Sequence, residues 1–525
     1  MSEAAAPGAP SVPQRTSVYA WVVLAMLAFI YIFNFLDRQL MSVLIESIKK
    51  DPAFATTLPD GTTVGLTDAQ MGWMTGFWFA LVYTVLGVIV GFLADRTSRR
   101  NILYVGATLW SGFTALCGLS TNYMTLLLAR VGVGVGEAAG APPSYSIISD
   151  YFPAEKRGLA LALFSMGVPL GQAAAIEFGA QIDKAYGWRT AFIAIGVAGV
   201  IAALIMLFVV REPKRGAMDS AKLAAMANER SSFGETFWQF ISRPALLWTA
   251  MGCGLSSFVG YAALGWNASF LLRTLGMTMD ELSLWYALVI GVGIGIGTIA
   301  SGFIVDIMAK RSRVWYALVP LIAMTAATPF WYLYTQAVDW PTGLGLLILP
   351  LLLNIFYLAP ALAVVNNSVK PSQRTMSSAI LLMILNFIGL GGGPTLVGIL
   401  STNFSADKVA AGMDKALAGA EGLRDALLWM TPFFAVAVFF MVLQYLALRR
   451  EVQADGPVSD GGFATGVLLL LVGVAGLGAR YYFGGVTGMT STDVVPLLQM
   501  IMLVVATVLG LFLLLGAGGR KKAAA

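Results

Sequence analysis

The chain has 525 residues, of which 58% are hydrophobic and only 12% are charged, and its mean hydropathy is +0.77. Soluble domains carry about 25% charged residues, so this composition excludes a soluble globular protein and indicates a chain that crosses a membrane many times. The net charge is +5, and the sequence contains no histidine. The usual proton relay near neutral pH is therefore missing, so proton transfer inside the membrane would depend on carboxylates.

The predicted transmembrane helices are runs of about 20 or more apolar residues, the length needed to cross the hydrocarbon core. The first set comprises residues 18–45, 69–94, 102–120, 122–151, 158–182 and 189–210. The second set comprises residues 244–272, 281–308, 314–337, 342–368, 375–402 and 423–448. Two further runs, 463–483 and 494–517, predict a C-terminal transmembrane hairpin. The expected fold class is an all-α polytopic membrane protein with two six-helix halves and this added hairpin.

The runs divide the chain into five segments. They are a disordered tail at 1–17, an N-terminal half at 18–210, a cytoplasmic linker at 211–243, a C-terminal half at 244–449, and the hairpin with its basic tail at 450–525. Within the linker, residues 218–230 fit either a short surface helix or a plain tether between the halves. The Ala/Gly-rich stretch 403–422 is predicted to be an outer loop that contains a short surface helix.

Lysines and arginines are divided unevenly between the two sides of the membrane. With a cytoplasmic N-terminus, the cytoplasmic loops and tails carry 22 of them and the outer loops carry nine. Because short loops rich in Lys and Arg stay in the cytoplasm, both termini are predicted to be cytoplasmic.

A ten-residue sequence with a basic end occurs twice, at residues 91–100 and again at 302–311. Each copy lies between two long apolar runs, which indicates that the chain is built from two related halves. Membrane proteins of that build are mostly transporters that bind the substrate between the halves. The residues expected to form the cytoplasmic gate come from both copies and from two arginines that follow Pro-containing turns: Gly91, Asp95, Arg96, Arg99, Arg100, Asp306, Lys310, Arg311, Arg157 and Arg374.

Charged side chains interrupt two apolar runs of the first half, and such residues are retained in a membrane when they pair or have a function. In the first helix, Asn34, Asp37 and Arg38 are three to four residues apart and share one face. In the fourth helix, Arg130 and Glu137 are separated by close to two turns, so both point the same way. The three glycines between them would let a neighbouring helix approach closely.

These groups predict an intramembrane charge network. Glu137 is the candidate proton carrier, with Asp37 second, because carboxylates are the titratable groups left for this role. Arg38 and Arg130 are the candidate anion binders, since a guanidinium fork matches phosphate or carboxylate, and Asn34 shares their polar face. A static internal salt bridge with no role in transport is the alternative.

The second half offers neutral polar groups in place of buried charge. The candidate substrate contacts are Tyr261 and Asn267 in the seventh helix, Tyr357 in the tenth and Asn386 in the eleventh. Each of them also fits an ordinary interhelical hydrogen bond. A charged first half that faces an apolar, aromatic second half suits an amphiphile with an anionic head. No nucleophile–base pair, metal cluster or phosphate-binding loop is found in the sequence, so it predicts no enzyme activity, cofactor or metal.

The duplicated sequence and the fourth helix resemble known motifs of the major facilitator superfamily. Residues 91–100, followed by Asn101-Ile-Leu, resemble the signature between its second and third helices, and residues 302–311 resemble the weaker copy between its eighth and ninth. Arg130-x-x-x-Gly134, with Pro142 and Asp150, is similar to its fourth-helix motif. The resemblance covers residues 18–450 and implies that superfamily's fold for them.

Two shorter sequences resemble the Spinster branch of that superfamily. They are Asn34-Phe-Leu-Asp37-Arg38 and Arg130-Val-Gly-Val-Gly-Val-Gly-Glu137-Ala. Animal Spinster proteins export sphingosine-1-phosphate or lysophospholipids, so the resemblance implies an amphiphilic anion as substrate. It also implies functional roles for the positions that match the branch, which are Asp37, Arg38, Arg130 and Glu137. The chain looks like a bacterial homologue, which places it in the inner membrane.

The expected function is that of a secondary active transporter that moves a lysolipid or a sphingosine-1-phosphate-like anion by alternating access, coupled to protons. An uncoupled facilitator of the same lipid and a transporter of small organic anions are the alternatives within this class. A membrane receptor or scaffold that acts through the linker and hairpin is the alternative outside it. The expected partners are the lipid bilayer, the anionic substrate and protons. No nucleic-acid partner is expected, and the chain is predicted to be a monomer.

Overall fold

The computed structural model describes residues 17–57, 63–94, 96–215, 218, 233–370 and 373–455. Almost all of these residues are helical, as the apolar runs predict. Twelve long helices follow one another in this part of the chain, and eleven of them are long and apolar enough to cross a membrane. The remaining one, Arg99–Gly118, has 20 residues, starts with two arginines and packs among the others. The chain is an integral membrane protein with many transmembrane helices.

We number the first six long helices α1–α6 and call them the first half. Their bounds are Val18–Val43 for α1, Asp68–Thr75 and Phe77–Ala94 for α2, Arg99–Gly118 for α3, Tyr123–Glu137 and Ala141–Tyr151 for α4, Ala154–Ser165 and Gly167–Tyr186 for α5, and Trp188–Val209 for α6. Between α1 and α2 lie a short helix, Ile45–Lys50, a 3-10 turn, Pro52–Phe54, and two strands, β1 (Thr56–Thr57) and β2 (Thr63–Val64). The strands pair antiparallel, with Thr56 opposite Val64.

The next six long helices, α7–α12, form the second half. Their bounds are Pro244–Arg273 for α7, Met279–Glu281, Leu282–Tyr286 and Ala287–Ala309 for α8, Trp315–Thr335 for α9, Trp340–Asn354, Ile355–Tyr357 and Leu358–Ser368 for α10, Arg374–Leu385, Asn386–Gly392 and Gly393–Ala410 for α11, and Lys415–Leu428 and Thr431–Asp455 for α12. A shorter amphipathic helix, Phe233–Ser242, precedes α7.

Proline and glycine account for the breaks that position polar groups along these helices. In α4, the second segment begins at Ala141 and continues with two prolines, which have no N–H to donate to the carbonyls of the preceding turn. The first segment of α4 therefore ends at Glu137. In α11, the π-helical segment Asn386–Gly392 widens the helix before Pro394, and such widened turns are frequent at functional sites.

The two halves contact each other towards one end of the bundle, which we call the Asp68 end because it holds Asp68 and Arg273. The first segment of α2 packs against the last segment of α11, and α5 packs against α8. Gln39 of α1 donates to the backbone carbonyl of Leu264 in α7 at 2.9 Å. We call the opposite end the Arg99 end. The helix contacts between the halves therefore hold the bundle together near the Asp68 end.

The structure corrects one prediction and leaves three untested. The stretch 403–422 contains helix, as predicted, but it is not a loop with a separate surface helix, because α11 continues to Ala410 and α12 begins at Lys415. Alanine favours helix, and the Asp414 side chain caps α12 by accepting from the backbone N–H groups of Ala416 and Leu417, so only a short turn separates the helices. The predicted disordered tail up to residue 16, the predicted surface helix or tether at residues 219–230 and the predicted C-terminal hairpin lie outside the described residues.

Candidate functional site

The centre of the site is an ion pair between α1 and α4. Arg38 donates to Glu137 Oε2 from Nε at 2.9 Å and from Nη2 at 2.6 Å. The Arg38 side chain is 10% exposed and the Glu137 side chain is fully buried. The sequence predicts that these residues lie on polar faces of their helices, and the structure brings the two faces together. Because buried charges are costly to separate, the pair links α1 firmly to α4.

Aromatic rings surround the arginine of this pair. The Arg38 guanidinium carbon lies 4.8 Å from the ring centre of Tyr83, 4.9 Å from that of Phe35 and 5.3 Å from that of Phe79. The Phe79 ring also faces a second cation, because its centre lies 5.0 Å from the Arg130 guanidinium carbon. A cation over an aromatic face is stabilised by the ring quadrupole, and more so where water is excluded. The site therefore combines cationic groups with an apolar aromatic wall.

The second acid–base pair of the sequence analysis is arranged differently from the first. Arg130 Nη1 donates to the backbone carbonyl of Asp37 at 3.2 Å. Both Asp37 carboxylate oxygens, Arg130 Nε and Glu137 Oε1 are buried without a hydrogen-bond partner among the described residues. The Asn34 amide nitrogen, which lies near Gly140 at the break in α4, is also buried without a hydrogen-bond partner among these residues. Buried polar groups without partners are costly, and they cluster where a protein binds a polar ligand or a proton.

The glycines of α4 allow the close packing that holds this cluster. A Cβ on Gly132 would meet the Phe113 ring at 2.4 Å, and one on Gly136 would meet the backbone nitrogen of Trp110 at 2.4 Å. On the other side, Gly134 lies near the backbone of Phe79. The prediction that these glycines let neighbouring helices approach is confirmed. The glycines therefore pack α4 closely against α3 and α2, the helices that flank the segment carrying Arg130 and Glu137.

The second half contributes two tyrosines near this cluster. The Tyr261 phenol of α7 lies close enough to the Arg38 guanidinium for an electrostatic interaction, and Tyr357 of α10 lies close to Tyr261. Asn386 begins the π-helical segment of α11, which packs against α2. Asn267 is placed differently, because its Oδ1 accepts from the Tyr334 hydroxyl at 3.2 Å and it is fully buried. Asn267 therefore packs within the second half.

A second ion cluster joins the halves at the Asp68 end. Arg273, the last residue of α7, donates to Asp68 Oδ2 from Nη1 at 2.7 Å and to Asp68 Oδ1 from Nη2 at 3.0 Å. It also donates to Glu46 Oε1 at 2.5 Å, and Lys49 donates to Asp68. Ser401 of α11 donates to Asp68 Oδ2 at 2.6 Å. One carboxylate of the first half thus binds two elements of the second.

Sequence reasoning missed this cluster, because these charges lie at helix ends and were assigned to loops. One signal was available in the sequence. Thr67 and Gln70 form a capping box, which places Asp68 in the first turn of a helix and not in a loop. The partner at the far end of α7 could not be identified, since pairing across 205 residues depends on how the halves pack.

Glycine also lets the backbones of the two halves touch at the Asp68 end. A Cβ on Gly72 of α2 would lie 2.7 Å from the Pro394 carbonyl oxygen, and one on Gly398 would lie 2.4 Å from the Asp68 carbonyl oxygen. Thr395 donates to the Gly72 carbonyl at 3.1 Å. Because the groups in contact are backbone atoms, a side chain at either glycine would force the helices apart.

The first copy of the duplicated sequence is bound within the first half at the Arg99 end. Arg99 is 2% exposed and donates to Asp150 Oδ2 at 2.5 Å and to Glu212 Oε1 at 2.8 Å. The Arg100 backbone N–H donates to Glu212 Oε2 at 2.8 Å. Burial opposes ionisation of Glu212, but the Arg100 N–H and the Arg99 guanidinium outweigh it and hold the pKa of this carboxyl below its usual range. This network ties α3 to α4 and to the residues after α6.

The other predicted gate residues of this end are more accessible. Exposed residues in this group are Arg96, Asp306, Lys310, Arg311 and Arg374. Arg157 donates to the Ser149 carbonyl at 2.7 Å, inside the first half. Asp95 lies outside the described residues. The two copies therefore differ, since the buried ion pair of Arg99 has an exposed lysine, Lys310, at the matching position of the second half.

The two glycines that open the duplicated sequences have free space around them. A Cβ on Gly91 or on Gly302 would meet nothing within 4 Å. This is the opposite of the tight glycines at the Asp68 end, and it fits halves that approach each other closely at one end.

A bundle of long apolar helices with a buried charge cluster and one tightly packed end defines a helical membrane transporter. The chain belongs to the Major Facilitator Superfamily, whose family model matches residues 27–394. Proteins of this family and fold are transporters and not enzymes.

Relatives of known description include an efflux pump, a Spinster protein and a sugar-acid transporter. The chain is 30% identical to an MFS-type efflux pump of Mycolicibacterium smegmatis over 76% of this chain and 88% of that protein. It is 27% identical to the protein spinster homolog 3 of Danio rerio, over 76% and 80% of the two chains. It is 28% identical to a probable L-galactonate transporter of Escherichia coli, over 54% of this chain and 61% of that protein.

A solved structure agrees with the Spinster relationship. The crystal structure of a bacterial homolog of the human lysosomal transporter Spinster, in an inward-facing and unoccupied conformation, is 27% identical to this chain. The two structures superpose with a TM-score of 0.72, covering 83% of this chain and 99% of the other. The resemblance inferred from the sequence motifs is therefore confirmed.

Proposed function

We propose that this transporter moves an amphiphilic anion by alternating access and couples the movement to protons. The observation that carries the proposal is the buried Arg38–Glu137 pair, whose arginine faces Tyr261 of the second half. A movement of one half relative to the other would change the surroundings of this pair. A bound anion would compete with Glu137 for the same guanidinium, which is the simplest way to couple a substrate to a proton.

The coupling step follows from the geometry of the pair. Protonation of Glu137 removes the charge that holds Arg38, so the guanidinium becomes free to bind an anion. Glu137 Oε1, which has no partner among the described residues, is a ready acceptor for that proton. Beside the pair, the Asp37 carboxylate would receive the proton next, and the Arg130 guanidinium would stabilise whichever carboxylate is charged. Release of the proton re-forms the pair and expels the anion.

Alternating access uses the two ends of the bundle. The Asp68 end is held closed by the Arg273–Asp68 pair, and the space at Gly91 and Gly302 allows the Arg99 end to close in turn. We place the Arg99 end in the cytoplasm of a bacterial inner membrane, because the loops with most lysines and arginines lie there. In that orientation both termini would be cytoplasmic, as predicted, and an open Arg99 end would make this an inward-facing state, like that of the bacterial Spinster homolog.

The preference for an amphiphile rests on the walls of the site. Rings of Phe35, Phe79 and Tyr83 surround the Arg38 cation, so a hydrocarbon chain attached to an anionic head would have apolar surface to contact. Tyr261 and Tyr357 add an aromatic wall from the second half. A lysolipid or a sphingosine-1-phosphate-like molecule has this chemistry, and the Spinster relatives support the choice.

A second candidate substrate is a small organic anion such as a sugar acid. The relative described as a probable L-galactonate transporter favours it, and the same arginine fork would bind a carboxylate. Uncoupled facilitation of the lipid is the remaining alternative, with Glu137 acting only as a gate. We propose a monomer as the working unit, since each chain contains both halves.

Binding to the purified full-length protein tests these choices. A lysophospholipid, sphingosine-1-phosphate and a short sugar acid are offered separately at about pH 5.5 and about pH 7.5, so that a carboxyl that titrates in this interval is detected as a change in binding. The variants are Glu137→Gln, which is uncharged at both pH values, and Arg38→Ala. Lys214→Gln, which changes an exposed charge far from the site, is the matched control.

Three results separate the candidates. Lipid binding that changes with pH in the wild type and in Lys214→Gln, but not in Glu137→Gln, supports a proton-coupled lipid transporter. Lipid binding without any pH dependence supports the uncoupled facilitator. Binding of the sugar acid alone would reject the amphiphile, and binding that survives Arg38→Ala unchanged would reject the role of Arg38.

A further inference from the structure

A cavity lies in the second half at the Arg99 end, apart from the α1–α4 cluster. Its volume is about 340 Å³, within the range of small-ligand sites. Three elements form it: the amphipathic helix 233–242, the start of α7, and the connection from α10 to α11. The lining residues are Thr236, Gln239, Phe240, Ser242, Arg243, Val369, Lys370, Gln373 and Ser377.

The cavity has cationic groups on its accessible side. Arg243 and Lys370 are both exposed, and the Arg243 guanidinium donates to the Ser368 carbonyl, which holds its side chain in place. The lining residues include no carboxylate. The nearby acid on the helix, Glu235, accepts from the Gln239 amide at 3.0 Å. An anion that enters this cavity would therefore meet two cationic side chains and no carboxylate among the lining residues.

The buried part of the cavity carries hydroxyl groups that lack partners. Thr236 is 2% exposed and Ser377 is fully buried, and neither side-chain oxygen has a hydrogen-bond partner among the described residues. Gln373 is also buried, and its amide nitrogen donates to Gln239 at 2.7 Å. Buried hydroxyls usually have partners, so these two unpartnered ones, which lie just beneath the wall of the cavity, are groups that a side-chain rotation would offer to a ligand that accepts hydrogen bonds.

Two helix starts add a further attraction for anions. Arg243 is the N-cap of α7 and Gln373 is the N-cap of the first segment of α11, and neither side chain caps its helix. The first backbone N–H groups of a helix carry partial positive charge and bind phosphate and similar anions. Both starts adjoin the cavity through residues that line it.

We propose that this cavity is a binding site for a phosphoryl group. Two cations at the entrance, two unpartnered hydroxyl groups beneath the wall and two helix starts match a tetrahedral anion with several acceptor oxygens. The headgroup of an anionic phospholipid and free inorganic phosphate share this chemistry. The lipid is supported by Trp238, which is 66% exposed on the same amphipathic helix, since exposed tryptophan on an amphipathic helix is typical of a membrane interface.

Native mass spectrometry of the purified full-length protein tests the site. The probes are phosphatidylglycerol and, in a separate arm, inorganic phosphate as competitor. Lys370→Gln removes an exposed charge, and Ser377→Ala removes one buried hydroxyl at nearly constant volume, so both variants are expected to fold. Lys214→Gln, an exposed lysine at the same end of the first half, is the matched control. Arg38→Ala reports on lipid bound at the α1–α4 cluster.

The wild type, Lys214→Gln and Arg38→Ala are expected to retain one phosphatidylglycerol, while Lys370→Gln and Ser377→Ala bind it about tenfold more weakly, the loss typical of one hydrogen bond to a charged group. Displacement by inorganic phosphate, or binding of phosphate in place of the lipid, would identify the phosphoryl group alone as the ligand. Equal binding of both probes to all variants would overturn the proposal. Loss of lipid only in Arg38→Ala would overturn it too, since the lipid would then belong to the other site.

Discussion

Arg273 and Asp68 form a two-pronged ion pair that joins the last turn of α7 to the first turn of α2. The guanidinium nitrogens Nη1 and Nη2 lie 2.7 and 3.0 Å from the two carboxylate oxygens, and the Asp68 side chain is only 4% exposed. The pair bridges the two halves of the transporter. Because it is close to buried, its loss should shift the balance between conformations as well as the stability.

Asp68→Asn is expected to open the Asp68 end. Removing one partner of a buried pair costs about 3–5 kcal/mol, and the remaining Glu46 contact of Arg273 should keep the loss near the lower figure. Thermal unfolding measures the loss of stability. The opening can be followed with a thiol crosslinker between cysteines placed at Lys184 and Asp280, an exposed pair that also spans the halves.

In that experiment the crosslink yield should fall when Asp68→Asn is added. The exposed pair itself contributes little to stability, so Lys184→Cys with Asp280→Cys is a mild background. An unchanged yield would mean that the Asp68 cluster does not hold the end closed.

Glu137→Gln is expected to fold and to lose the pH dependence of transport. Gln keeps the size of the side chain and an oxygen that can accept from Arg38, but it cannot release a proton. Glu137→Ala should instead destabilise the protein by about 3–5 kcal/mol, because it leaves the Arg38 charge buried without its partner. Uptake into vesicles across a range of pH provides the measurement, and a wild-type pH profile in Glu137→Gln would exclude this residue as the proton carrier.

Gly72→Ala and Gly91→Ala form a matched pair of glycine substitutions on α2. The new Cβ at residue 72 would lie 2.7 Å from the Pro394 oxygen, a backbone atom, and should destabilise this conformation by about 1–3 kcal/mol. The Cβ at residue 91 meets nothing within 4 Å and should stabilise the helix by about 0.5–1 kcal/mol.

If the Arg99 end closes during the cycle, the effect of Gly91→Ala on transport should be opposite to its effect on stability. Gly91→Ala would then slow transport although the protein is at least as stable as the wild type. Thermal unfolding and vesicle uptake, measured on the same preparations, separate the two effects. Full transport by a more bulky Gly91→Val variant would show that residue 91 does not enter a closing interface.

Glu212 should contribute stability at neutral pH but no pH dependence there. Its pKa lies below the usual range, so the contact with Arg99 and Arg100 is fully present above the unfolded pKa of about 4.3 and is lost only as the pH falls through the lower folded value. Glu212→Gln is therefore expected to lower the unfolding temperature and to leave the pH profile of transport between about pH 5.5 and 7.5 unchanged. A flattened profile in this variant would transfer the coupling role from Glu137 to the Arg99 end.

Much of the fold follows from the sequence because hydropathy and length act locally. A run of about 20 apolar residues crosses the membrane wherever its neighbours lie, so the order of the twelve long helices in the described part of the chain agrees with the apolar runs. Helix ends were less predictable. The stretch 403–422 looked like a loop by its polarity, but its alanines and the Asp414 cap make it the ends of two helices.

Part of the site was also predictable from spacing. Asp37 and Arg38 on one helix, and Arg130 and Glu137 on another, are costly in a membrane unless they pair, so the sequence alone determined that these residues form a polar cluster. It did not determine the partners. The structure joins Arg38 to Glu137 and sets Arg130 against the Asp37 backbone, and it turns Asn267 towards Tyr334 within the second half.

Only the tertiary structure decided what joins the halves. Glu46, Asp68 and Arg273 lie at helix ends, where charge is cheap in water and where hydropathy gives no reason to pair them. They become buried because tight glycine contacts bring α2 against α11 and carry the end of α7 to the same place. Local sequence determines which segments enter the membrane, since burial in lipid depends on each helix alone. The contacts between the halves depend on the packing of distant helices, which local sequence does not encode.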